Sequence, residues 1–197
     1  MMKKILFFLI LTIMISGFCN AYASEPLTIL KEEIDKVFSI LNDPKYNDSS
    51  KKEQQHSDLW EVIDGIFDFN AISKLALANN WRDFSPEQQK DFAQVFGNFL
   101  GNNYLNKIQS GFSDQQVEFT GEEMIRKNRA VVMTNIIKNN IKTPVNYSMI
   151  NQGNSWKIYD VKIEGVSLLK NYRTQFSSIL LKDKPDKLIN DLRNKLK

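Results

Sequence analysis

Asp160, in the run Tyr159-Asp160-Val161, is a carboxylate placed inside an otherwise apolar strand pattern. An inward-facing acid in a cone of sheet and helix can exchange protons with a bound substrate. The same side chain can instead accept hydrogen bonds from nearby backbone donors or pair with a cation, the commoner outcome for a buried polar group. Arg173, set among Leu169, Tyr172 and Phe176, poses a parallel choice between a structural ion pair, with Asp160 as one partner, and a grip on a phosphate. Other chemistry is thinly supplied. His56 is the one histidine and stands in the polar run Glu53-Gln54-Gln55-His56, as a solvated helix residue would. A Ser-His-Asp or Cys-His nucleophile would have to use that histidine. Zinc requires clustered Cys, His or carboxylate ligands, and the sequence offers no such cluster. Glu122-Glu123 follows a glycine and reads as a solvated turn. Gly97-x-x-x-Gly101 falls inside a helical pattern, not at a strand-to-helix turn, so it is no phosphate cradle. Those two glycines serve either close helix packing or room for a slender apolar guest beside Phe96, Leu100 and Tyr104. The expectation is a protein with no catalytic set, no metal and no cofactor, and an enzyme built on Asp160 is the alternative.

The chain has 197 residues, which favours one domain. Residues 1–23 read as a secretory signal: Lys3 and Lys4 lead, Ile5 to Ile15 is apolar, and Ala21-Tyr22-Ala23 is a small-x-small cleavage pattern. The run is too short and wrongly flanked for a membrane span. A lipoprotein site at Cys19 fails because bulky Phe18 precedes it. Cleavage after Ala23 leaves 174 residues and removes the only cysteine. An exported chain without disulfides relies on its core alone, which suits a periplasmic protein. Loss of two lysines and no acid takes the formal charge from +3 to +1. That balance argues against nucleic acid and against strong docking to anionic lipid.

Helical periodicity governs the first half. Leu27 to Leu41, Lys51 to Ile66 and Ala71 to Asn79 form three helices, the last capped by Asp68 or Asn70. Ser85-Pro86-Glu87-Gln88 is a capping signal for a fourth, reaching about Ser110 with an aromatic inner face. After Gly111 the period becomes two. Val117–Phe119 is a short strand, and Ala130–Ile137, Val145–Ile150 and Trp156–Ile163 are stronger ones. Slipped alternation between Ile158 and Val161 suggests a bulge near Tyr159 or Asp160. Ser167 caps a helix and Pro185 opens the last. The result is an α+β fold: a curved antiparallel sheet of about four or five strands (about 115–166), covered by a helical N-terminal half (about 24–112) and closing helices (about 167–197).

Trp156-Lys157-Ile158-Tyr159-Asp160-Val161, Glu164-Gly165-Val166-Ser167-Leu168-Leu169 and Asn171-Tyr172-Arg173-x-Gln175-Phe176 together resemble the C-terminal signature of the MlaC family, also called the toluene-tolerance or ABC-transporter auxiliary family. Phe67-Asp68-Phe69, Trp81, Ser85-Pro86-Glu87-Gln88, Phe92, Phe96 and Tyr104 resemble its helical half. The likeness departs at Ala78, where the family often has glycine, and near Thr143-Pro144, where a loop glycine is missing. The resemblance implies a periplasmic phospholipid carrier between an outer-membrane lipoprotein complex and an inner-membrane ABC transporter with an MCE-domain subunit. It also implies that acyl chains enter a gap between sheet and helices. The expected lining is Trp81, Phe92, Phe96, Phe99, Leu100 and Tyr104 from the helices, and Val131, Met133, Val145, Tyr147 and Met149 from the sheet. Val166, Leu169, Tyr172 and Phe176 come from the closing segment, with Arg173 toward the headgroup. An envelope interaction module with a filled interior is the remaining alternative.

Overall fold

The computed structural model describes residues 26–112, 114–153 and 155–196. The proposed signal, Cys19 and the Ala23 cleavage site lie outside the described residues. Six helices run α1 (Pro26–Asn42), α2 (Lys52–Ile66), α3 (Phe69–Leu77), α4 (Pro86–Gly111), α5 (Leu168–Leu180) and α6 (Pro185–Asn194). Five strands run β1 (Gln116–Arg126), β2 (Arg129–Lys138), β3 (Ile141–Asn151), β4 (Trp156–Ile163) and β5 (Val166–Ser167). The strands form one antiparallel sheet in sequence order, so the α+β expectation describes the architecture. Among the described residues no helix is long and apolar enough to cross a membrane.

Local chemistry sets the boundaries. Ser85 Oγ accepts from the Gln88 amide and Gln88 Oε1 accepts from the Ser85 amide, a reciprocal cap for α4. Asp68 accepts from the Ala71 amide at 2.8 Å and starts α3. Asn139 and Asn140 both take positive φ, as the tight β2–β3 hairpin demands and asparagine tolerates. Two strand expectations need correction. The first strand is eleven residues long, and Glu122-Glu123 lie within it, not in a turn. A register shift between Phe119 and Gly121 leaves Thr120 without an opposite number, and the Glu122 carboxylate accepts from the Leu27 amide at 2.7 Å.

Ala78, just past α3, sits at φ 50° and ψ −120°. A Cβ is strained there and glycine is not. Ala78→Gly is expected to raise stability by about 1 kcal/mol, read as a higher urea midpoint at unchanged slope.

The apolar residues pack in two bodies. One joins α3, α4, α5 and α6 around Phe92, Phe96, Phe176 and Leu188. The other presses α1 and the end of α2 (Leu30, Ile66) onto Ala130, Val132, Met149 and Ile158 of the sheet. Phe67 touches both bodies.

Candidate functional site

Between these bodies the inner face of the sheet is left incompletely covered. On β2 the inward row is Ala130, Val132 and Thr134, all buried, followed by Ile136. On β3 it is Met149, Tyr147 and Val145, directly opposite them. The first part of each row lies under α1 and α2, and the second part faces a cavity of about 260 Å³. Interiors are normally packed as densely as organic crystals, with few voids larger than a water molecule. A void of this size is therefore a distinct feature of the architecture.

Helices and sheet build its walls together. Helix α4 contributes Phe96, Leu100, Gly101, Tyr104, Leu105 and Ile108. The sheet contributes Ile136, Val145, Tyr147, Tyr159, Val161 and Ile163, and the start of α5 adds Leu168, Leu169 and Tyr172. Ile63, Phe67, Phe69 and Ile72 close the remaining side. The Phe67-x-Phe69 pair is held by the free edge of β4: Phe67 bridges Ile158, and the Asp68 amide donates to the Ile158 carbonyl at 2.9 Å. The wall is apolar except for four tyrosines and Asp160.

The expected bulge is present. The β3–β4 register shifts so that Tyr159 has no opposite number between Ile158 and Asp160. Asp160 then lies beside the start of α5, where its two oxygens accept from the Leu169 amide at 3.1 Å and the Ser167 hydroxyl at 2.7 Å. It anchors that helix as an acceptor. Asp160→Ala is expected to lower stability by about 1–2 kcal/mol, with Asp160→Asn recovering part of the loss because one acceptor oxygen remains. Chemical denaturation of the three proteins measures this.

Burial pushes the Tyr147 phenol up to about 12. Tyr147 lines the cavity. Tyr172 is raised too, first by burial and then by the neighbouring Tyr104 phenol. A phenol with a raised folded pKa stabilises fully below its ordinary value of about 10, and that contribution is lost as pH climbs through the folded value. Stability should therefore fall between pH 10 and about 12, and the fall should be shallower in Tyr147→Phe. Urea midpoints at stepped pH give the comparison.

Phe96, Leu100, Tyr104, Val145, Tyr147, Leu169 and Tyr172 of the expected lining face the cavity. The other nine positions do not. Phe92 and Phe176 are fully packed among helices, and Phe99 packs against the same core. Trp81 lies against that core, with its carbonyl accepting from Gln89. Met149 is sealed beneath α1 and α2. Val131 and Met133 have the wrong parity: they pair with Ser148 and Asn146 on the opposite face of the sheet. Val166 is 53% exposed on the two-residue β5. Arg173 donates from Nε to the Leu75 carbonyl at 2.9 Å, tying α5 to the end of α3, and makes no ion pair with Asp160.

Sequence reasoning missed the wall contributed by Ile63, Phe67, Phe69 and Ile72, although Phe67-Asp68-Phe69 was a visible motif. It also missed Leu105, Ile108, Ile136, Tyr159, Val161, Ile163 and Leu168. Gly101 stands where an added Cβ would fall 1.7 Å from the Trp60 ring, and at Gly97 the nearest atom would be Phe69 at 3.1 Å. Close packing of α2 and α3 on α4 thus explains both glycines, and Gly101 in addition leaves wall space.

The family model described as MlaC protein matches residues 31–194. The intermembrane phospholipid transport system binding protein MlaC of Haemophilus influenzae is 26% identical over 203 aligned positions, taking in 94% of this chain and 91% of that one. Toluene tolerance protein ttg2D of Pseudomonas putida is 26% identical over 152 positions, 75% of this chain and 70% of that one. A solved phospholipid-binding protein from Ralstonia solanacearum, in complex with a phospholipid, superposes with TM-score 0.75 at 23% identity. It covers 86% of this chain and 95% of its own, and the likeness establishes a shared fold.

Proposed function

Because the chain belongs to the MlaC protein family, we propose that it is a periplasmic phospholipid carrier whose apolar cavity receives acyl chains. The cavity of about 260 Å³ between sheet and helices is the observation that carries this reading. Each methylene moved from water onto such a wall gains about 0.8 kcal/mol, so binding needs no covalent chemistry. The headgroup can stay in solvent, consistent with a wall whose one ionisable carboxylate, Asp160, is already engaged by Ser167 and Leu169. The proteins that would load and unload it are those the family resemblance implies, an outer-membrane lipoprotein complex and an inner-membrane ABC transporter with an MCE-domain subunit.

The names of two similar proteins support the reading, one a phospholipid transport system binding protein and the other a phospholipid-binding protein. The test is transfer of a headgroup-labelled phospholipid between two vesicle populations that do not touch. Transfer proportional to protein concentration is expected. Transfer no faster than without protein would refute carriage.

A further inference from the structure

The tip of the β1–β2 hairpin reads Met124-Ile125-Arg126-Lys127-Asn128-Arg129, three cations and no acid in six residues, in a chain whose formal charge is +3 over all 197. Met124 pairs with Ala130 and Arg126 with Arg129, so Ile125 is an extra residue with no opposite number. A bulge of this kind re-aims the side chains around it. Met124 is left 49% and Ile125 51% exposed, the one adjacent pair of large apolar side chains so exposed among the described residues. Arg126 and Lys127 are exposed beside them, and among the described residues none of the three cations forms an ion pair. Arg129 stands over the Tyr159 ring at 5.0 Å and keeps its charge. The Asn151 amide donates to the Asn128 carbonyl at 3.0 Å, which braces the tip against the end of β3.

A specific protein interface buries about 800 Å² on each partner, and a six-residue tip cannot supply that area. A bilayer accepts a protrusion of any width. Aliphatic side chains enter the boundary between headgroups and acyl chains, while the stems of arginine and lysine reach back to the phosphates. Clustered cations without acids fit a surface that bears anionic headgroups. We propose that the β1–β2 tip attaches the protein reversibly to membranes containing anionic phospholipid. Ile136 of the cavity wall lies about 23 Å of strand from Arg129, and attachment through the tip does not require an occupied cavity.

Flotation with extruded phosphatidylcholine vesicles that contain phosphatidylglycerol as a minor component tests the attachment. The parent protein is expected to float with them, to release as salt is raised, and to stay behind with vesicles of phosphatidylcholine alone. Arg126→Gln with Lys127→Gln is expected to weaken binding about thirtyfold, and Met124→Ser with Ile125→Ser at least about tenfold. All four positions are exposed, so both variants keep the parental fold, checked by circular dichroism. Lys182→Gln with Lys184→Gln removes the same charge from exposed positions between α5 and α6 and is expected to bind as the parent does. Parental binding by either tip variant, or an equal loss in the Lys182, Lys184 variant, would overturn the attachment. So would a parent protein that floats equally with both vesicles or with neither.

Discussion

Phe96→Ala is expected to destabilise the protein by about 3–5 kcal/mol, the range for losing a fully buried aromatic ring. Phe96 is 0% exposed and its ring meets Phe92 at 5.4 Å, Tyr172 at 5.1 Å and Phe176 at 5.0 Å. Edge-to-face and offset pairs of this kind each add about 0.5–1.5 kcal/mol beyond burial. The loss should sit toward the upper end of the range because the site cannot collapse. One side of Phe96 already faces the cavity, so the new void merges with existing space and is not closed by neighbours. For a chain of this size the unfolding temperature should fall by roughly 6–20 °C, followed by circular dichroism. A drop of a degree or two would mean that the aromatic cluster does not hold α4 to α5.

The second expected result separates stability from ligand loading. Leu100 on α4 and Ile136 on β2 face the cavity from opposite walls, and both are only partly buried. Leu100→Trp combined with Ile136→Trp narrows the space by putting larger rings where two partly buried aliphatic side chains stand. If the rings exclude about four methylenes of an acyl chain, roughly 3 kcal/mol of binding is lost, about a hundredfold in affinity. Thermal stability should hold or rise, because filling a void restores dispersion contacts. Retention of the parental lipid load by a folded double variant would place the lipid elsewhere.

The periodic and capping signals were legible from sequence because they are local. Ser85 through Gln88, Ser167 and Asp68 cap where their side chains reach the next turn, and slipped alternation pointed to a bulge near Tyr159 or Asp160, which the register places at Tyr159. The wall of the cavity was legible on α4, where one face of the helix repeats Phe96, Leu100 and Tyr104. It was not legible on β2. A strand with apolar residues on both faces, such as Ala130-Val131-Val132-Met133, does not declare which face is inward until its register against β3 is known. Nor does spacing distinguish a packed ring from a lining ring. Phe92 and Phe96 are one turn apart on α4, yet Phe92 is enclosed by Phe84, Phe96 and Phe176 while Phe96 reaches the cavity. Phe67 and Phe69 depend on a bridge to Ile158, a contact between residues far apart in the chain.

The central claim is that the cavity of this chain is a binding site for phospholipid tails. Native mass spectrometry of protein purified without organic solvent or harsh detergent tests it most directly. The account predicts a species heavier than the bare chain by the mass of a phospholipid, converted to the bare mass by organic extraction and largely missing from the Leu100→Trp, Ile136→Trp variant. Bare protein alone, under settings at which a deliberately loaded sample keeps its lipid, would contradict it.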